Sequence, residues 1–179
     1  QSQMFFLAPS VLAEAYGKAG RVKEGLTLLA EALAFVDKTG ERVWEAELYR
    51  LKGELLLMQE SKKQKAKGKR QKLANPGHQP LSPNPQSGAE ECFLKALTVA
   101  REQQAKSWEL RAATSLARLW RHQGKYAEAG GLLSEVCTWF TEGHETKDFL
   151  DATALLSELM TATREDEQRK ASGARQTHR

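Results

Sequence analysis

The sequence has only two cysteines, Cys92 and Cys137, and no CxxC motif. A disulfide scaffold is therefore excluded, and both side chains are expected to be buried free thiols of a cytoplasmic protein. No run of 18 apolar residues is present, so no transmembrane helix is expected, and no signal peptide is recognisable. Because the chain opens at Gln1 rather than at a methionine, we expect it to be a piece of a longer protein.

Prolines are also few, and they are unevenly placed. Five occur, and four of them lie in the stretch 76–85. Outside that stretch little interrupts a helix. Ala, Leu, Glu, Lys and Gln, which are all good helix formers, are abundant throughout. The sequence therefore predicts an all-α protein.

Positive charge is concentrated in two segments. Residues 61–88 hold seven basic side chains and no acid, and the tail from Arg164 holds five basic residues against three acids. The chain total is +4 and these segments contribute +7 and +2, so the remaining residues carry a net charge of −5. A nucleic-acid-binding fold would place its basic residues on a structured face, and this distribution argues against one.

Motifs of catalysis are missing as well. The segment 17–21 has glycine and lysine but neither the spacing nor the preceding strand of a phosphate-binding loop. The four histidines form no HxxxH or HExxH pair, and carboxylate pairs such as Glu90–Glu91 are typical of solvated helix faces. The sequence therefore predicts no enzyme active site, no metal site and no cofactor.

A repeated pattern of apolar and small residues is present instead. Apolar residues three and four apart on both sides of a glycine predict two amphipathic helices joined by a tight turn. The glycine suits a left-handed backbone at the end of the first helix, and the small residues let the two helices approach closely. The matched positions, at identical spacing, are Leu12, Ala13, Tyr16, Gly20, Gly25 and Leu29 in one copy and Leu116, Ala117, Trp120, Gly124, Ala129 and Leu133 in another.

A further copy lies between these two and is split. Its halves are centred on Gly53 and Ala89, which are 36 residues apart where the equivalent residues of the other copies are 12 apart. The excess of 24 residues matches a segment rich first in lysine and then in Pro, Asn, Gly and Ser. Such a composition buries too little apolar surface to offset the entropy of ordering, so residues 61–88 are predicted to be a disordered insertion in a hairpin turn. Without it, the repeat unit is 40 residues in both intervals.

The expected architecture is an all-α, right-handed solenoid of three stacked antiparallel helical hairpins and a capping helix. The repeat domain covers 4–163, and residues 164–179 are predicted to be a disordered tail. The repeats span about 4–38, 41–104 and 106–141, and the capping helix spans 146–163. The aromatic residues expected to pack between hairpins, rather than to mark a ligand pocket, are Trp44, Trp108, Trp120, Trp139 and Phe140.

The segments GKAGRVKEGLTLLAEAL and HQGKYAEAGGLLSEV resemble the tetratricopeptide repeat, whose usual unit is about 34 residues. The segments GERVWEAELYRLKGELLL, AEECFLKALTVAREQQAKSWELRAATSLARLW and GLLSEVCTWFTEGHETKDFLDATALLSEL are similar to the C-terminal repeat region of large bacterial multidomain signalling ATPases, many of which carry a class III adenylate or guanylate cyclase domain. The resemblance implies a sensing or scaffolding module whose catalytic domains lie upstream. It carries no catalytic residue over to this chain, and the Lys and Asn set of carboxylate-clamp family members is missing.

In this architecture the first helices of the hairpins line the concave surface, where a partner would bind. Arginine recognises carboxylates bidentately, so a basic concave patch that holds an acidic peptide or a neighbouring domain is one hypothesis. A solvated arginine-rich face is the other. The residues predicted to point away from the core on this surface are Glu47, Arg50, Glu54, Arg111, Thr114, Arg118, Arg121 and His122.

The leading prediction is a cytoplasmic interaction module that binds a protein, a peptide or other domains of its own parent chain. In one alternative, the parent chain is a nucleotide cyclase or an ATPase with its catalytic domains upstream. In another, the lysine-rich run 61–72 binds nucleic acid or acidic lipid, although it lacks the interleaved aromatics that stacking on single strands requires. A solvated linker is the simpler interpretation of that run. No nucleic-acid or membrane partner is expected, and the pattern specifies no oligomeric state.

Overall fold

The computed structural model describes residues 3–71 and 85–176. All regular secondary structure in these ranges is helical, which confirms the all-α prediction for the described part of the chain. The helices are α1 (Gln3–Lys18), α2 (Val22–Thr39), α3 (Glu45–Gln71), α4 (Pro85–Glu102), α5 (Lys106–His122), α6 (Tyr126–Cys137) and α7 (Lys147–Gln176). Each predicted repeat contains two of these helices.

The chain divides into two compact units. Unit 1 (Gln1–Gln104) holds α1 to α4, and unit 2 (Ala105–Arg179) holds α5 to α7. In unit 1 each helix packs against the next, and α1 also contacts α3. In unit 2 all three helices contact one another. The first helix of each unit therefore touches both the second helix and the helix that follows it.

Each unit has its own aliphatic core. In unit 1, α2 presents one buried stripe at helical spacing toward α1 and α3. The buried residues of this core are Ala13, Val22, Leu29, Ala32, Leu33, Val36, Leu48, Leu51 and Leu55. In unit 2, the largest fully buried aliphatic side chains are Leu110, Leu116, Leu133, Val136 and Leu159.

The turns after α1 and α5 have the same backbone structure. Gly20 and Gly124 have φ values of 75° and 77°, in the left-handed region. In each turn the amide after the glycine donates to the carbonyl oxygen five residues back, at 2.8 Å and 2.9 Å. These bonds satisfy carbonyl groups that the helix end leaves unpaired. The predicted left-handed glycines are confirmed at both positions.

Helices α3 and α4 approach closely where α3 has a glycine. A Cβ atom built on Gly53 would lie 2.5 Å from Cε1 of the fully buried Phe93, which is closer than carbon atoms tolerate. At the start of α2, a Cβ atom on Gly25 would lie 2.7 Å from Cδ1 of Leu55 and 3.4 Å from the carbonyl oxygen of Ala13. The small residues predicted at these two positions therefore do bring helices together.

The ends of the predicted insertion and the predicted tail need correction. Helix α3 continues through Gln71 and α4 begins at Pro85, so residues 61–71 and 85–88 are helical, and residues 72–84 lie outside the described residues. Helix α7 likewise continues through Gln176. The physical reason is intrinsic propensity, because Lys, Gln, Ala, Glu and Arg favour helix even without a core to pack on. Pro85 suits the first turn of a helix, where its missing amide hydrogen costs nothing.

One aromatic prediction is wrong. Trp139 is 62% exposed and lies just after α6, so it does not pack between hairpins. The Lys106 ammonium group lies 4.3 Å from the centroid of its ring. None of the described helices combines the length and the apolar character that crossing a bilayer requires.

The Gly53–Phe93 contact makes a testable prediction about stability. The substitution Gly53→Ala should lower the free energy of unfolding by about 1–3 kcal/mol, because the new methyl group overpacks a rigid ring. The matched control is Gly131→Ala in α6, where an added Cβ would meet nothing within 4 Å. That change should raise stability by about 0.5–1 kcal/mol through helix propensity. Urea denaturation followed by circular dichroism measures both, and equal effects of the two substitutions would contradict the packing argument.

Candidate binding surfaces on the first helices

The predicted site residues of α3 lie on one face of the helix, but two of them are buried. Glu47 and Arg50 are 4% and 9% exposed, and Glu54 is half-buried. The Arg50 guanidinium donates from Nε and Nη2 to the two carboxylate oxygens of Glu47, each at 2.7 Å. Its Nη1 lies 3.6 Å from Oε1 of Glu54. The expectation that Glu47 and Arg50 point away from the core is therefore corrected.

The reason for this burial is that α1 packs beside α3 on that face. Burial, the largest single influence, would by itself lower the pKa of Arg50. The hydrogen bond to Glu47 and the charges of Glu47, Glu54 and Glu14 act in the opposite direction and prevail, so its pKa is raised. The guanidinium thus stays charged, and its orientation is fixed by the two-pronged bond to Glu47.

A groove opens between α1 and α3 beside this ion pair. Its volume is about 170 Å³, which would hold about six water molecules. Leu51, Leu55 and Met58 supply an apolar floor, and charged side chains supply the walls. The residues that line this α1–α3 groove are Glu14, Gly17, Lys18, Arg50, Leu51, Glu54, Leu55 and Met58.

The three arginines predicted on α5 are paired within unit 2. Each of them meets an acidic side chain of α7. Nε of Arg111 lies 3.7 Å from Oδ2 of Asp148, Nη2 of Arg118 lies 3.9 Å from Oδ2 of Asp151, and Nη1 of Arg121 contacts Oε2 of Glu158. We call these three pairs the α5–α7 ladder.

The arginines and the acids of the ladder each span ten residues, from 111 to 121 and from 148 to 158. The intervals differ in order, seven then three on α5 and three then seven on α7, but each set lies along one helix face. Pairing in ascending order on both helices requires α5 and α7 to run in the same direction. The α7 carboxylates take the place that the basic-patch hypothesis gave to an acidic partner. Each of the three arginines therefore has an acidic neighbour within unit 2, and the basic patch stays a hypothesis.

The two remaining α5 residues differ in exposure. Thr114 is 5% exposed and its hydroxyl donates to the Leu110 carbonyl oxygen at 2.7 Å, so it does not point away from the core as predicted. His122 is exposed at the end of α5, in agreement with the prediction. A buried hydroxyl bonded to its own helix has its hydrogen-bonding capacity used internally.

Asp151 is the member of the ladder with a perturbed acidity. Its pKa is lowered from the ordinary value of 3.8, first by a hydrogen bond from Lys147 and then by the charges of Lys147 and Arg118. The Lys147 ammonium donates to Oδ2 of Asp151 at 2.8 Å. Asp151 is therefore held ionised between a residue of its own helix and a residue of α5.

Sequence reasoning missed a contact of the lysine-rich run. Nζ of Lys62 donates to the carbonyl oxygen of Gly20 at 2.5 Å, and Nζ of Lys63 donates to Glu60 at 2.7 Å. A cation at the end of α1 is favourable because helix C-termini carry partial negative charge. The start of the run thus packs on the turn between α1 and α2.

The cysteines and other candidate ligands show no assembled chemical site. Cys92 is buried and Cys137 half-buried, both are free thiols, and burial raises the pKa of each. A raised pKa keeps a thiol protonated and unreactive at neutral pH. Among the described residues, no group of three His, Cys, Asp or Glu side chains is close enough to hold a metal ion.

Comparisons of the chain with protein-family models, with curated protein sequences and with solved structures gave no match.

The buried Glu47–Arg50 pair makes a prediction about stability. Arg50→Ala should lower the free energy of unfolding by about 3 kcal/mol, because it leaves a buried carboxylate without its partner. The matched control Arg118→Ala removes an exposed ladder arginine and should cost less than about 1 kcal/mol. A double variant, Glu47→Leu with Arg50→Leu, should recover most of the loss in urea denaturation. A double variant less stable than Arg50→Ala would contradict this account.

The ladder makes a prediction about pH. The pKa of Asp151 is lower in the folded state than in the unfolded state. The ionised carboxylate therefore stabilises the fold at pH values above its unfolded-state pKa, and this stabilisation is lost as the pH falls through its folded-state pKa. Asp151→Asn should therefore be less stable than the unchanged chain at pH 6, and the two should converge as the pH falls through the folded-state pKa of Asp151. Urea midpoints measured between pH 6 and pH 2.5 test this. A difference that stays constant over that range would rule out the ionised carboxylate as its source.

Proposed function

We propose that this chain is a protein-interaction module of tetratricopeptide-like hairpins, and that it binds a peptide segment of a partner, or of its own parent chain, in the α1–α3 groove. The partner inserts an apolar side chain against Leu55 and Met58 while the charged rim orients its backbone. The chain itself then performs no chemistry, and any cyclase or ATPase activity belongs to other domains of a parent protein.

The repeat register supports this proposal. The turns after α1 and α5 share their glycine conformation and their hydrogen bonds. In both turns a basic side chain also lies over an aromatic ring, Arg21 over Tyr16 and Lys125 over Trp120. Stacked repeats of this kind present their first helices side by side, and such surfaces commonly bind partners. A right-handed stack of three hairpins with α7 as the capping helix is part of the same proposal.

The single observation that carries the proposal is the composition of the α1–α3 groove. Met58 is 40% exposed at its floor, next to the buried Leu51 and Leu55. A concave apolar floor with a few fixed polar groups is the usual composition of a ligand site. Arg50 is already held in one orientation by Glu47, so binding costs little further side-chain entropy at this residue.

The charges of the groove indicate what kind of partner it accepts. Glu14 and Lys18 form an ion pair at 2.8 Å on the α1 side, and Arg50 and Glu54 face them from α3. The rim thus carries both signs in equal number, which favours a peptide with an apolar anchor over a uniformly acidic one. The acidic-peptide hypothesis is therefore replaced by an apolar-anchor hypothesis at a different pair of helices.

The groove is tested with a display library of random peptides selected on the immobilised full chain. The substitution Met58→Glu should weaken the selected peptides at least about tenfold, because it places a charge where the apolar anchor is buried. Met160→Glu, which changes a similarly exposed methionine of α7, should leave their binding unchanged. Affinities come from fluorescence anisotropy, and circular dichroism checks that both variants keep their helices. If the selected peptides bind the Met58→Glu variant as tightly as the unchanged chain, the groove is not their binding site.

A further inference from the structure

Helix α7 continues the sequence register of the first helices. A step of one 40-residue unit carries Leu116, Ala117 and Trp120 of α5 onto Leu156, Ser157 and Met160 of α7. The pattern of large, small and large side chains is thus retained at the same spacing. By this register α7 corresponds to a first helix, and Ser157 occupies the position of Gly53 in α3.

The equivalent face of α3 is covered by a second helix. Phe93 of α4 packs directly on Gly53, and a Cβ on Gly88 of α4 would lie 3.9 Å from Cδ1 of Leu56. At the start of the same face, Ala46 is 1% exposed. A first helix in this chain therefore uses this face to bind an antiparallel helix.

On α7 the corresponding residues are exposed. Leu150 and Met160 are 54% and 51% exposed, Ser157 is exposed and Thr153 is half-buried. These four residues, at positions i, i+3, i+7 and i+10, form what we call the α7 face. The buried residues Ala152, Leu155 and Leu159 lie on the other side of the helix. Within unit 2, α7 contacts α5 and α6.

The α7 face is also uncharged. Between residues 147 and 163 the charged residues are Lys147, Asp148, Asp151 and Glu158, and none of them belongs to the face. The three acids are those of the α5–α7 ladder. An exposed helix surface of about three turns that lacks charge and contains Leu and Met is suited to burial.

We infer that the α7 face binds an amphipathic helix that runs antiparallel to α7 and occupies the position that α4 has on α3. The inference shares the repeat register with the proposed function and concerns a different surface. The occupant carries a small residue and, four positions later, a leucine. Ala89 and Phe93 of α4 have this spacing, and so do Ala129 and Leu133 of α6.

The residue at position 157 selects leucine over phenylalanine in the occupant. An added Cβ at the equivalent Gly53 would collide with the Phe93 ring. Serine has that Cβ, so a phenylalanine cannot lie there in the same way. Helix α5 has Ala117 at this position, and its hairpin has Leu133 in place of Phe93. The occupant therefore resembles α6 more closely than α4.

The test uses the full chain and a labelled, helix-stapled peptide that copies residues 125–140 and carries Cys137→Ser. Fluorescence anisotropy should detect binding, and Leu150→Glu and Met160→Glu in the chain should each weaken it at least about tenfold. Met58→Glu in the chain should have no effect, so a failed groove and a failed α7 face are distinguishable. A peptide with Leu133→Glu should not bind.

Two kinds of result would overturn the inference. The first is absence of peptide binding, or binding that Leu150→Glu and Met160→Glu leave unchanged, since the peptide then does not use this face. The second comes from sedimentation velocity of the chain alone. A dimer that Met160→Glu converts to monomer would show that a second copy covers the α7 face. Circular dichroism of each variant checks that the exposed substitutions leave the helices intact.

Discussion

The close approach of helices at small residues is the constraint on which the rest of this structure depends. Gly53 lets Phe93 lie directly on the backbone of α3, and Gly25 does the same for Leu55 on α2. In a close-packed interior a void loses van der Waals contacts and an overlap causes strain. These contacts therefore fix the distance between the helices and their rotation about their axes. The rotation of α3 in turn decides that Arg50 faces α1 and that Met58 reaches the groove.

Much of the fold could be predicted because its signals are local. The turn glycines and the apolar spacing act within a few residues of themselves, and the structure contains the left-handed glycines as predicted at Gly20 and Gly124. Gly53 contacts Phe93 of the next helix, but its place is readable from the spacing of its neighbours in the repeat. Helix ends were less predictable. The same Lys, Gln and Glu residues that fail to form a core still favour helix, so α3 and α7 extend beyond the last residue with a core to bury.

The candidate site was harder to predict because it depends on pairs of helices. A sequence pattern indicates that Arg50 or Arg118 lies on a polar stripe, but it does not indicate what stands opposite. Glu47 fixes the orientation of the buried Arg50 through hydrogen bonds. Asp148, Asp151 and Glu158 form ion pairs with the row of arginines on α5. The equal ten-residue span of the three arginines in α5 and of the three acids in α7 was a usable signal for the ladder. The α1–α3 groove had no such signal, since its lining comes from residues far apart in sequence.

The glycine-ended turns also allow the chain to become longer without a change in how its helices pack. Each described hairpin turn is closed by backbone hydrogen bonds, and its side chains contribute little to either core. Extra sequence at such a point lengthens the loop without shifting a buried contact, and the entropic cost of a longer loop grows only slowly. The excess residues of the middle repeat lie between its two halves, and part of the excess extends α3 through Gln71. Evolution can therefore try new sequence at the turns while the core is inherited unchanged, and an engineer can place a reporter or an epitope there on the same grounds.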